Sequence, residues 1–181
     1  MTKNLILKQL ISFLFQPILG VSKHLCGAAT DLALTCLANA KGHVRISGVL
    51  IALCCHHRCS WGCFVGRNFL ESPNVKFEKA DFSLLKCLTS WGTCGTGKPR
   101  EDRDEKNRTA NEEKTTENPH DLRYDRLDLP RERREQIGRK TKRLLDYARA
   151  KYVQEKLDLE VQLFYYCKPE ISLENVLLIA K

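Results

Sequence analysis

The sequence holds no glycine-rich phosphate loop of either common type, no internal repeat and no heptad array. These absences remove P-loop nucleotide hydrolysis, dinucleotide binding by the usual glycine fingerprint, solenoids and coiled coils from consideration. The apolar run Leu5 to Val21 is interrupted by Lys8, Gln9 and Gln16, and its longest uncharged stretch, Gln9 to Ser22, is too short to span a bilayer. It carries no convincing small-residue cleavage site, so neither a membrane anchor nor a secretory leader is expected. Between Gly97 and about Pro130 large apolar residues are almost missing until Leu122 and Tyr124, and such a stretch cannot repay its ordering entropy by burial.

What remains is one domain's worth of chain, 181 residues, with a formal net charge of +8 from 30 Lys and Arg against 22 Asp and Glu. The basic surplus favours a polyanionic partner and sits in residues 1–97, where 10 basic side chains face 4 acidic ones. Nine cysteines are an odd number, and Cys54 and Cys55 are adjacent, which makes ordinary disulfide pairing awkward. A reducing, intracellular location, cytoplasmic or nuclear, follows as the expectation.

Pro17 ends any helix begun before it, and Ile18 to Val21 reads as a short buried strand finishing at Ser22-Lys23-His24. Thr30 or Asp31 can cap a helix through Leu32, Leu34, Cys36 and Leu37, with Gly42 placed for a left-handed cap. Gly48 to Leu53 is a continuous apolar run, the pattern of a parallel strand covered on both faces, and it ends in Cys54-Cys55-His56-His57-Arg58-Cys59. Strand, helix and strand with a right-handed crossover bring both polar clusters to one carboxyl edge, where open α/β sheets bind ligands. Residues 98–130 read as a disordered charged insertion. Ile137, Leu144, Leu145, Ala148 and Tyr152 then recur at helical spacing within Arg131 to Lys156. Val161–Tyr166 and Asn175–Ala180 are strand candidates joined closely enough to pair antiparallel.

The cysteine and histidine cluster first points to zinc, but consecutive ligands point in conflicting directions, and Cys55, Cys59 and Cys63 on a shared helical face lack a clear fourth partner. No metal site is assigned on this spacing. Cys54 and Cys55 read equally well as small buried residues that finish a strand. His56, His57 and Arg58 open onto the sheet edge, where a cation can hold phosphate and a histidine can accept a proton. Lys23-His24-Leu25-Cys26-Gly27 is open to the same reading at the neighbouring strand end. For RNA, Trp61, Phe64, Arg67, Trp91 and the Arg131–Arg143 run fit a pattern of rings among cations, although the residues alone favour core tryptophans and a solvated helix face.

Four stretches together resemble the eukaryotic tRNA 2′-O-methyltransferases that act on the fourth nucleotide of the acceptor stem. They are Lys23–Gly27 with Ala29–Leu34; Ile51–Cys59 with Trp61 and Val65-Gly66; Ser90-Trp91 with Thr93-Cys94-Gly95; and Ser172–Leu178. The resemblance implies an α/β, Rossmann-like methyltransferase that uses S-adenosyl-L-methionine and takes tRNA as its partner. It divides the chain into an apolar head at 1–19 unlike the family, catalytic-domain parts at 20–97 and 131–181, and the insertion between them. It implies a mostly parallel sheet with an antiparallel last strand, truncated on its N-terminal side because the chain starts near the fourth strand. The family's cysteine/histidine zinc modules and its acidic, glycine-rich cofactor segment precede this point, so neither is expected here. Ser60 stands where the family is expected to be acidic and Cys63 where it is expected to have histidine, which touches substrate contacts more than fold.

With that resemblance, the catalytic candidates are His24, His56 and His57 as base with Lys23 and Arg58 as positioning cations, and the cofactor candidates are Cys26, Gly27, Cys54 and Cys55. No protein partner and no membrane partner is deduced. The alternatives are an inactive RNA-binding fragment of the family and a small zinc-binding interaction module.

Overall fold

The computed structural model describes residues 16–94 and 129–181. The expected charged insertion, up to residue 128, and most of the apolar head lie outside the described residues.

Immediately after Pro17, β1 (Ile18–Ser22) begins. Helix α1 (Ala28–Ala40) returns the chain to β2 (Ile46–Leu53), and the two strands pair in parallel, from Ile18 opposite Ile46 to Ser22 opposite Ile51, with an irregularity after Ile18. The expected strand, helix and strand unit is therefore present. β1 is more exposed than a buried strand should be, with Leu19 and Val21 facing solvent among the described residues.

A single 3-10 turn at His56–Arg58 and two short helices, α2 (Arg67–Leu70) and α3 (Lys79–Thr89), follow β2. α3 starts with a capping box in which the Glu78 backbone N–H donates to the Asp81 carboxylate at 2.9 Å. After α4 (Trp91–Cys94), the described chain resumes and forms α5 (Arg131–Leu157), 27 residues and about 40 Å long at the usual helical rise. Gly138 of α5 packs directly on Gly92 of α4, so closely that a methyl group on either would strike the other backbone.

The chain ends in a hairpin of β3 (Val161–Tyr165) and β4 (Val176–Ala180), antiparallel as expected. The sheet order is β1-β2-β4-β3, so β4 enters between β2 and β3 and runs antiparallel to both. The sheet is thus mixed. Among the described strands, β1, β2 and β3 share one direction and β4, the last, alone is inverted as expected; because β4 lies between β2 and β3, only the β1–β2 pairing is parallel.

Two adjoining cores hold these layers. In one, Val49, Ile51, Leu53, Val176 and Leu178 of the central strands pack against Leu34 of α1 and Val153 and Leu157 of α5. In the other, Phe64, Leu70, Phe82 and Leu85 close on Leu145 and Ala148 of α5. α5 serves both, so its inward face is fixed along most of its length. Two cap expectations are corrected here. Gly27, not Thr30 or Asp31, precedes the first turn of α1, and Lys41 ends it in right-handed conformation, leaving Gly42 with no left-handed role.

Candidate active site

At the carboxyl ends of β1 and β2 the chain turns by backbone conformations that L-residues seldom adopt. His24 has φ 94°, Gly27 φ 54° and Cys55 φ 51°. At Gly27 this is a requirement, because a Cβ would also meet the Arg58 backbone oxygen at 2.7 Å. The two loops are thereby pressed together, and the Gly27 N–H donates to the Cys54 carbonyl at 3.4 Å. The sequence-derived clusters 23–27 and 54–59 do meet at one edge.

Beneath them lies a buried ionic network supplied by α5. Arg149, wholly buried, donates Nε to Asp31 Oδ1 at 3.0 Å and Nη2 to Asp31 Oδ2 at 2.9 Å, a two-pronged pair. The same Nη2 reaches the Gly27 carbonyl at 3.2 Å and Cys59 Sγ at 3.0 Å, so one guanidinium joins α1 to both strand-end loops. Burial alone would lower the Arg149 pKa, but Asp31, Cys59 and Asp146 around it hold it above its ordinary value. Burial pushes the Cys59 thiol up to about 11, against the pull of Arg149.

His56 is 1% exposed, and its Nε2 lies 2.5 Å from Asp146 Oδ1. Burial would raise the Asp146 carboxyl, yet His56, Arg149 and Arg143 outweigh it and hold the group below its ordinary range. Facing an ionised Asp146, Nε2 is the donor. The ring's other nitrogen, Nδ1, has no hydrogen-bond partner among the described residues and lies 3.9 Å from Glu174 Oε2. Glu174, just before β4, accepts Lys142 Nζ at 2.6 Å and, through its other oxygen, the Cys55 N–H at 3.1 Å.

The expected site residues thus divide. Lys23, His24, His57 and Arg58 are exposed on the edge, His56 is buried under it, and Gly27 ties the loops. Cys26, Cys54 and Cys55 converge, their sulfurs all within 4.8 Å of one another, with Cys26 and Cys54 at 3.9 Å. Asp31, Lys142, Asp146, Arg149 and Glu174 were not among the expected site residues. The helical pattern placed α5, but only distant partners distinguish a buried Asp or Arg on it from a solvated one.

Beside Glu174 a cavity of about 630 Å³ opens between α5 and the β3–β4 hairpin. Arg139, Lys142, Arg143 and Lys168 line it together with Tyr165 and Tyr166, and the Arg143 guanidinium lies over the Tyr165 ring at 4.6 Å. Rings among cations line this cavity, whereas Phe64 is fully buried with the equally buried Arg149 guanidinium 5.4 Å from its ring, and Trp61 packs on Phe82 at 5.1 Å. Among the described residues no helix is long and apolar enough to cross a membrane.

Residues 2–181 match the family model described as methyltransferase TRM13. The mouse (Mus musculus) tRNA:m(4)X modification enzyme TRM13 homolog is 30% identical over 91% of this chain and 44% of its own length. The Saccharomyces cerevisiae tRNA:m(4)X modification enzyme TRM13 is 32% identical over 86% of the chain and 35% of its own, and that of Yarrowia lipolytica 38% identical over 88% and 34%. The chain spans less than half the length of these curated relatives. No solved structure matches it.

Proposed function

Because the chain belongs to the TRM13 methyltransferase family, we propose that it carries the methyl-transfer edge of a tRNA 2′-O-methyltransferase that uses S-adenosylmethionine and acts on position 4 of the acceptor stem. The observation that carries this reading is the convergence of the two strand-end loops, bound to each other through Gly27 and Cys54 and to α5 through Arg149. A β-strand, helix, β-strand unit with its loops at the carboxyl edge is where an α/β methyltransferase of Rossmann type would react.

What this edge offers the donor is its position. Cys26, Gly27, Cys54 and Cys55 stand there with their main-chain groups largely held within the protein, the Gly27 N–H by Cys54, the Gly27 carbonyl by Arg149 and the Cys55 N–H by Glu174, and His56 Nδ1 lies just beneath without a hydrogen-bond partner among the described residues. A carboxylate to receive ribose hydroxyls is not spare among these groups, since Asp31 is held by Arg149, Asp146 by His56 and Glu174 by Lys142. When bound, the cofactor supplies an electrophilic methyl group. His24 and His57, both exposed, are the side chains able to take a proton from a ribose hydroxyl, and Lys23 and Arg58 beside them can hold a phosphate. His56, fixed by Asp146, is a positioning residue for the loop that presents His57 and Arg58. The basic, tyrosine-lined cavity beyond Glu174 supplies a neighbouring surface for RNA.

Calorimetry with S-adenosylmethionine, followed by single-turnover methylation of an acceptor-stem RNA, tests the proposal. Micromolar cofactor binding and methyl transfer that falls at least tenfold in His24→Ala or His57→Ala are expected, since general-base catalysis typically contributes about 10²-fold or more. Absence of cofactor binding with RNA binding intact would replace it by the RNA-binding reading.

A further inference from the structure

The three thiols at the edge are better placed than their sequence spacing allows. Cys54 and Cys55 are neighbours in the chain, and in an ordinary strand their side chains would point to opposite faces. The left-handed backbone at Cys55, φ 51° and ψ 45°, folds the chain back so that both sulfurs lie on the same side, and Cys26 meets them from the other loop. A non-glycine residue held in this region costs of order 1 kcal/mol, and such strain persists only where its surroundings impose it.

We propose that Cys26, Cys54 and Cys55 form a binding site for a single zinc ion that clips the β1 and β2 strand-end loops together. Zinc takes thiolates at about 2.3 Å in tetrahedral geometry, which puts the sulfurs about 3.8 Å apart. Cys26 and Cys54 stand at 3.9 Å already, and all three sulfurs lie within 4.8 Å, so closure needs only side-chain rotation. Cys54 is buried, whereas Cys26 and Cys55 are half-buried, so an ion has a path in and the fourth position is left to a water or an added ligand.

Charge favours the same assignment. Cys26 lies two residues before α1, and the N-terminus of a 13-residue helix favours negative charge, such as that of a metal-bound thiolate, close to it. A divalent ion would bind the three sulfurs as thiolates and release their protons.

The test uses the full chain, purified under reducing conditions, loaded with zinc and passed into metal-free buffer. Elemental analysis should find one zinc per chain, and Co²⁺ in its place should give thiolate-to-metal absorption in the near ultraviolet. Per-residue alkylation read by mass spectrometry should show zinc slowing Cys26, Cys54 and Cys55 several-fold, with exposed Cys36 and Cys87 unaffected as internal references. A Cys26→Ser, Cys54→Ser, Cys55→Ser variant should lose the metal, and Cys36→Ser with Cys87→Ser should keep it. Zinc absent from the wild type, zinc that leaves alkylation of the three thiols unchanged, or a Cys26–Cys54 disulfide in place of metal would each overturn the proposal. The alkylation experiment decides the matter even where the triple variant fails to fold.

Discussion

Arg149 and Asp31 are each fully buried, and each is the other's principal charge partner. Removing one member leaves a charge stranded in the interior, which typically costs about 3–5 kcal/mol. Arg149→Met is expected to lose that much stability in urea unfolding followed by circular dichroism, and Arg149→Met with Asp31→Leu to recover part of it. Asp146 adds a pH dependence with a defined sign. Its folded pKa is depressed, so the ionised carboxylate contributes stability above the unfolded value of about 3.9 and loses it as pH falls through the folded value. Wild-type stability should therefore drop from about pH 5 downward. Asp146→Asn should be less stable at neutral pH and show a flatter acid limb, as measured by unfolding midpoints across the series.

Helix α5 shows at the scale of an element how such residues are held. Leu145 is fully buried between α3 and the loop carrying Phe64, and Leu145→Ala is expected to cost about 2–5 kcal/mol in the same unfolding assay. The helix was legible in the sequence to within one residue at its end, as were β2 from its unbroken apolar run and the β3–β4 hairpin from its short connection. Lys142, Asp146 and Arg149 were not legible as core residues, because a 3.6-residue period reads charge as solvent-facing. Their partners lie far off along the chain: Asp31 is 118 residues from Arg149 and His56 is 90 from Asp146. Asp31 illustrates the same limit, since an acidic residue near a helix start reads as a cap until a buried arginine is found against it. The meeting of the two strand-end clusters was legible because a crossover rule fixes it. The shared side of Cys54 and Cys55 was not, because it depends on one left-handed residue. The insertion of β4 beside β2 was equally hidden, since neighbours in sequence gave no sign that β3 would lie outside it.

At the scale of the whole molecule, most of the +8 surplus lies in residues 1–97, yet cations also gather locally elsewhere. Arg139, Arg143 and Lys168 converge on the cavity that also holds Lys142, Tyr165 and Tyr166, and Glu174 joins Lys142 to the loop before His56 by accepting from the Cys55 N–H. Cations that meet phosphates release condensed counterions, so affinity falls with the logarithm of salt in proportion to the contacts made, whereas stacking on a ring carries little salt dependence. The two kinds of contact can therefore be separated by titrating an acceptor-stem RNA at several salt concentrations. Arg139→Ala and Lys168→Ala are expected each to reduce the log–log slope by about one unit. Tyr165→Ala is expected to weaken binding by about 1–3 kcal/mol at every salt concentration while leaving the slope nearly unchanged. Slopes unaffected by either cation variant would place the RNA elsewhere on the surface, and the cavity would then have no part in holding it.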